Sequence, residues 1–434
     1  MIRQAKQHRL VAEANARLAL PVPVFALTER QEIIDRLLLE PELLAYIRQR
    51  AAELNSAEDE LLTTARRYAN EIGPKFSPFF YFRFAHFLAR AWLNLHYRIH
   101  SLAVDESAFG RLPPDATVIF VSNHRSNFDP LLITYLASRH STVALSAGEW
   151  ARLWPLHHFV RAAGGFVVDR DAEDPLYRRV LISYVQMAVA SGLHQAFFPE
   201  GELARDGRMR LPKLGFLNAY CRACREDRDI VFIPAGINYD RIPEDRRLVH
   251  ATGDFGNPSA FFLVGSSLRY LASVVTLPFR RRSTRYGNAS AVFGTPVSLQ
   301  EWLANNDVDL AGLQKPDRYT WLPDFAADLM AACAQQIPAL PVPLLATVLC
   351  QDLNRESWTF ADLAADVRTL LDRLASTDAR VVLPGGVDSA LGAALDLLTS
   401  SKLVRHAGGD RYLVVHSGLP VLQHYANSIG HLVS

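Results

Sequence analysis

The sequence predicts an α/β fold: a mainly parallel mixed sheet flanked by helices, with a helical region before it and a small helical appendage after it. Three observations carry this. Residues 1–110 have helical periodicity, from about 115 short β-branched or aromatic runs alternate with helical stretches, and a Pro-rich break near 340 precedes a second helical pattern. Strands alternating with helices are the signature of parallel crossover units.

Within 1–110, apolar residues recur near every 3.6 positions in Arg30–Arg48 and Glu58–Glu71, and Asn55-Ser56 and Gly73-Pro74 punctuate them as helix boundaries. Phe76–His100 is dense in aromatics, carries Arg83, Arg90 and Arg98, and predicts one amphipathic helix. The domain at 111–336 then offers strands at Thr117–Ser122, Thr142–Ala147, Gly165–Val168, Gln195–Phe198, Ile230–Ile237 and Ala289–Phe293. Pro234 inside the fifth of these predicts an edge or bulged strand. Ile337–Pro343 reads as a linker or surface turn that opens a region at 337–434. There the helical Phe360–Ala375 and Asp388–Ser400 and the strand-like Arg411–Val415 fit a winged-helix-like appendage.

Composition narrows the function classes. The 434 residues carry 46 basic and 45 acidic side chains, so no global field draws nucleic acid, and the appendage shows no basic stripe. Four cysteines make no disulfide framework, and no apolar leader follows the polar start, which predicts a reducing, cytoplasmic setting. Cys221 and Cys224 lack the further ligands a zinc site needs, so they read as small core residues, and neither a metal nor a cofactor is expected. No uncharged apolar run reaches the length of a bilayer span. Ala260–Phe279, followed by Arg280, Arg281, Arg282 and Arg285, and the aromatic Phe76–His100 segment both suit a helix lying on an anionic membrane, or equally a core helix with a solvated basic end.

Four constellations sit where predicted strands end, the side of an open parallel sheet on which ligands bind. The first is Asn123-His124-Arg-Ser-Asn-Phe-Asp129-Pro130, with Pro130 suited to the first turn of a helix. A loop folding back lets Asp129 bond one nitrogen of His124 and turn the other toward a cleft, the arrangement of a general base. The same residues also read as an ordinary helix cap beside a structural histidine. The second is Gly164-Gly165-Phe166-Val-Val-Asp169-Arg170. The third, Phe198-Pro199-Glu200-Gly201, leads into Arg205, Arg208 and Lys213, cations able to hold a phosphate or to form surface ion pairs. The fourth is Ile233-Pro234-Ala-Gly236-Ile-Asn-Tyr239-Asp240.

In order, these blocks resemble the glycerol-3-phosphate and dihydroxyacetone-phosphate acyltransferases. Asn123–Pro130 is similar to their N-H-x-S-x-x-D-P block with its H-x4-D pair, Gly165–Arg170 to G-x-F-I-[D/R]-R, Phe198–Arg208 to F-[P/V]-E-G with following arginines, and Ile233–Asp240 to [I/V]-P-V-x-I-x-Y-[D/E]. Phe293-Gly-Thr-Pro296-Val-Ser resembles their F-G-x-P-[I/V]-S, and Tyr425–His431 the Y-Y-A-N-S-I-x-H of the long glycerol-phosphate branch.

The resemblance implies an O-acyltransferase without a cofactor. In it His124 deprotonates the sn-1 hydroxyl of glycerol 3-phosphate, Asp129 orients His124, and the oxygen attacks the thioester of acyl-CoA or acyl carrier protein. It further implies substrate binding at Arg125, Ser126, Arg170, Glu200, Gly201, Arg205 and Lys213, and a peripheral place on the cytoplasmic face of the cell membrane. Two departures thin the positive charge. Glu202-Leu203 stands where many relatives have Thr-Arg or Gly-Arg, and Asp169-Arg170 where the long branch has two arginines. Dihydroxyacetone phosphate and a lysophospholipid are the alternative acceptors, and a non-catalytic lipid-binding protein is the alternative of another class.

Overall fold

The computed structural model describes residues 10–103, 112–113, 115–138, 140–147, 156–169, 173–250, 286–309 and 320–433. Helices α1 (Arg30–Leu38), α2 (Pro41–Leu54) and α3 (Glu58–Ile72) lead into the sheet. Glu40 caps α2 by accepting from the Leu43 amide at 2.7 Å, and Asn55 ends it in the left-handed conformation. Their apolar stripes, including Ile34, Leu37, Leu43, Ile47, Ala69 and Ile72, are buried in one core cluster.

The expected helix at Phe76–His100 is broken. A short turn at Pro78–Phe80 and a π-helical turn at Tyr81–Ala85 precede α4 (His86–His96). Tyr97 is then extended, and β1 (Arg98–Ala103) enters the main sheet inside the segment read as helical. β1 pairs in parallel with residues 288–293, a partner nearly two hundred residues away. Long-range pairing of this kind overrides a local helical pattern.

The other strands of the main sheet are β2 (Thr117–Ser122), β3 (Ala144–Ala147), β4 (Phe166–Val167), β5 (Gln195–Phe197), β6 (Ile230–Tyr239), β7 (Asn288–Phe293) and β8 (Val297–Ser298). Their order is β1-β7-β6-β2-β5-β3-β4, with β8 against β6. All pairs are parallel except β6 with β7 and β6 with β8, so the sheet is mixed and mainly parallel. Side chains alternate between faces. Ile119 and Val121 of β2 join the cluster under α6 (Pro175–Ala190), whereas Val118 and Phe120 join the one under α5 (Asp129–Ala137). α7 (Leu214–Cys221) buries Cys221, and Cys224 follows, buried and free, just beyond its end.

Pro234 does not mark an edge. β6 is buried along its whole length, between β2 on one side and β7 and β8 on the other. The Pro234 carbonyl accepts from the Gly294 amide at 2.8 Å, so its missing N–H faces the same side. That side is a gap in the ladder, because β8 pairs Val231 and Phe232 and β7 pairs from Ala235 onward. A central strand tolerates proline there.

Ile337–Pro343 is not a surface turn either. Ile337, Ala339, Leu340 and Val342 are buried, and Pro341 opens α10 (Pro341–Gln351), which follows α8 (Asp245–His250) and α9 (Leu322–Gln335). Proline suits that first helical turn, since its amide needs no partner there. Asn238 of β6 donates to the Pro338 carbonyl at 2.9 Å, and the Val342 amide donates to Asp240 at 2.9 Å.

After α10 come β9 (Trp358–Thr359), α11 (Phe360–Ala375), α12 (Val387–Ser400), β10 (Val404–His406) and β11 (Arg411–Val414). The three strands form an antiparallel sheet in the order β10-β11-β9, which with the helices is a winged-helix arrangement. Thr359 and Asp362 close a capping box on α11. α13 (Leu419–Asn427) returns to pack on α10 and α8.

Gly236 shows how tightly the segment after α9 crosses the sheet: a Cβ on it would lie 2.1 Å from the Gln336 backbone. Backbone on both sides cannot yield as a side-chain tip can. We therefore expect Gly236→Ala to cost about 1–3 kcal/mol, read as a lower urea midpoint at unchanged slope.

Candidate active site

Two parallel neighbours, β2 and β5, deliver the loops that carry most of the chemistry, and β6 on the other side of β2 delivers a third. The chain leaves β2 at Ser122, turns through 123–128, and enters α5 at Asp129 with Pro130 in its first turn. This turn brings the His124 ring back onto Asp129, with Nδ1 2.9 Å from Oδ2.

Asp129 is fully buried, and its carboxylate accepts on both oxygens. Oδ2 takes the Arg125 amide at 2.5 Å and the Ser126 amide at 2.8 Å besides the imidazole, and Oδ1 takes the Tyr239 hydroxyl at 2.7 Å. An ionised carboxylate only accepts, so His124 must carry its proton on Nδ1. That leaves the Nε2 lone pair, which has no hydrogen-bond partner among the described residues. The ring lies flat on Phe198, with centroids 4.4 Å apart and planes at 18°.

Glu200, at the end of β5, is buried too and clamps the backbone of the same loop. Oε1 accepts from the His124 amide at 2.8 Å and Oε2 from the Arg210 amide at 2.8 Å. Burial pushes its carboxyl above the usual carboxylate range, while those two amides and the Arg125 charge oppose the shift. The Ala204 amide donates to the His124 carbonyl at 3.0 Å, which closes the two loops on each other. Gly201 turns the chain at φ +72°, and a Cβ there would meet the Lys213 stem at 2.8 Å.

The other expected residues fall into place around this pair. Ser126 is buried, and its hydroxyl donates to Glu244 at 3.0 Å while accepting from the Phe128 amide. Arg125 points inward: Nη1 donates to the Gly207 carbonyl at 2.5 Å, Nη2 lies 3.4 Å from His424, and the residue is 2% exposed. Lys213 is exposed and bonds Glu202 at 3.0 Å, as Arg210 does at 2.8 Å. Glu202 thus engages two cations of this turn. Arg205 lies on the loop between Gly201 and Gly207. Arg170 is outside the described residues, and so are Ala260–Phe279 and the arginines at 280–285.

Tyr239 and Phe198 stand in the sequence blocks without an assigned role, and His424 stands outside those blocks. For Tyr239 the signal was available: it ends β6, a strand parallel to β2. Nothing local marks His424, 300 residues from His124.

Residues 108–238 match the family model described as Acyltransferase, and 271–434 match the model described as Glycerol-3-phosphate acyltransferase C-terminal region. A curated glycerol-3-phosphate acyltransferase of Xanthomonas axonopodis pv. citri is 26% identical over 94% of this chain and 46% of its own length. One of Pseudomonas syringae pv. tomato is 27% identical over 93% of this chain and 49% of its own length. The chain thus spans about half the length of these relatives. Among solved structures, the 1-acyl-sn-glycerophosphate acyltransferase of Thermotoga maritima aligns with 70% of this chain and 95% of its own, at 14% identity and a TM-score of 0.33.

Removing the Tyr239 hydroxyl leaves a fully buried carboxylate oxygen without its donor. Tyr239→Phe should therefore lower stability by about 1–3 kcal/mol, measured by urea unfolding, and an unchanged midpoint would show that Asp129 is held without it.

Proposed function

We propose that the chain is a member of the glycerol-3-phosphate acyltransferase family and that it transfers a long-chain acyl group from acyl-CoA or acyl carrier protein to the sn-1 hydroxyl of glycerol 3-phosphate, giving lysophosphatidate. The observation that carries the reading is the His124–Asp129 pair with Nε2 left open. The names of the matching family models and relatives support the substrate class.

In the proposed reaction Nε2 takes the acceptor's hydroxyl proton as the oxygen bonds the thioester carbonyl carbon. The tetrahedral intermediate collapses, the carbon–sulfur bond breaks, and the imidazolium returns its proton to the leaving thiolate. Asp129 stabilises the transient imidazolium and fixes the ring, and general-base assistance of this sort contributes about 10²–10⁴-fold. Cations on and near the turn after Glu200, with Arg205 and Lys213 foremost and Arg170 from the neighbouring block, would hold the acceptor phosphate. Arg125 and Ser126 would then act from within the protein, since both side chains are buried and bonded there.

Purified protein should acylate glycerol 3-phosphate faster than dihydroxyacetone phosphate or lysophosphatidate, and His124→Ala should cut that rate by about 10²-fold or more. If His124→Ala keeps the wild-type rate, the mechanism is wrong.

We also propose that the protein works on an anionic bilayer. Phe79, Phe84, Phe87 and Leu88 are exposed on and just before α4, with Arg90 exposed one turn on. No helix among the described residues is long and apolar enough to cross a membrane. α4 packs on α5, and its His96 ring lies 5.5 Å from Phe128 of the catalytic loop, so a membrane under α4 would lie beside the site. Exposed aromatics beside arginine suit the headgroup layer. The protein should float with anionic vesicles at low salt and less so at high salt. The pair Phe84→Ser with Phe87→Ser should abolish flotation, and retention at the wild-type level would assign those rings to another role.

A further inference from the structure

Three consecutive carbonyls of the loop after Glu200 are each gripped by a different side chain. Arg205 O is 2.9 Å from His424 Nδ1, Asp206 O accepts from Asn427 at 2.9 Å, and Gly207 O accepts from Arg125 at 2.5 Å. Two of the three donors lie on α13, at the far end of the chain. A carbonyl accepts only, so His424 carries its proton on Nδ1 and presents the Nε2 lone pair to Arg125 Nη2, 3.4 Å away. One neutral tautomer thus serves both loops of the site. Burial, reinforced by the Arg125 charge, pushes His424 down to about 4 and keeps it in that form near neutrality.

The approach is close enough to dictate sequence. Gly207 has φ +87°, and a Cβ on it would sit 1.9 Å from the His424 carbonyl oxygen. α13 is itself fixed: the Tyr425 hydroxyl donates to Asp245 at 2.8 Å and accepts the Ile242 amide at 3.0 Å, and the helix packs along α10. The loop therefore rests on a rigid support that belongs to the C-terminal region.

We infer that His424 is a positioning residue for the acceptor: with Asn427 and Arg125 it fixes the backbone of residues 205–207 so that the cations of that loop meet the acceptor's phosphate. This rests on the acyl-transfer reading above. The phosphate-bearing acceptor, and not the thioester donor, should feel the loss of the support. A helix that merely stabilised the fold would affect both substrates alike.

The test is His424→Phe, which keeps a planar ring and removes both bonds, beside His424→Asn, whose amide reaches as Nδ1 does. With glycerol 3-phosphate and a long-chain acyl-CoA, His424→Phe should raise the acceptor KM at least ten-fold and the donor KM less than two-fold. His424→Asn should bring the acceptor KM back to within three-fold of wild type. An acceptor KM unchanged in His424→Phe, a parallel rise for both substrates, or no rescue by Asn each overturns the inference. Should the Phe variant not fold, Asn427→Ala at a half-buried position must show the same split in smaller degree, and its absence counts against the inference equally.

Hydrogen exchange on the same proteins separates this idea from the acyl-transfer reading. In His424→Phe the amides of Ala204 and Arg210 should exchange at least ten-fold faster while those of α11 and α12 keep their rates. If wild type fails to acylate glycerol 3-phosphate, that reading and the acceptor role fall together, but faster exchange still establishes the support. Unchanged exchange removes it whatever the activity.

Discussion

Everything at the site depends on one buried carboxylate. Asp129 has no exposed surface, and a charge so placed is tolerable only when its lone pairs are spoken for. Four donors do this: an imidazole, two successive amides and a tyrosine hydroxyl. The two amides belong to Arg125 and Ser126, so satisfying the charge also bends the loop. The spacing of four residues between His124 and Asp129 is what allows a single Oδ2 to reach both the ring and the amides beneath it. Placement of the imidazole and stability of the loop are thus one requirement.

Glu200 repeats the device from the neighbouring strand. It too is buried, and it too spends its oxygens on main-chain amides, one of them that of His124. The ring is therefore placed by two carboxylates, one acting on its nitrogen and one on its backbone, with Phe198 limiting rotation from the flat side. Because β2 and β5 are adjacent and parallel, both loops emerge at the same edge. The sheet order thereby converts two distant sequence blocks into one constellation.

Much of this was legible in the sequence. Thr117–Ser122 is β2 to the residue, and Phe360–Ala375 is α11 to the residue, because each has an unbroken period between clear boundaries. Pairing Asp129 with His124 needed only the strand end and Pro130. What escaped was set by distant partners. β1 exists because residues 288–293 lie beside it, Pro234 is tolerated because β7 and β8 leave a gap, and the segment from Pro338 to Val342 is buried because Asn238 and Asp240 bind its backbone. Arg125 was read as a substrate ligand on its place in a motif, whereas its guanidinium faces the protein interior. Periodicity reports which side of an element is apolar, but it does not report which element will come to cover it.

The distribution of charge around the turn after Glu200 bears on the proposed phosphate acceptor. Arg210 and Lys213 are both bonded to Glu202. Both pairs are largely exposed, so each is worth little to stability and is easily exchanged. An incoming phosphate would compete with Glu202 for these cations, as a doubly charged oxyanion can against one carboxylate. A neutral headgroup would not displace it. In the proposed reaction Glu202 would then act as a filter on the charge of the acceptor without forbidding a phosphate. On the same reasoning, the less mobile part of the site is its backbone, held from Asp129, Glu200 and the C-terminal helix, while the cations proposed to meet the ligand stay on long, exchangeable side chains.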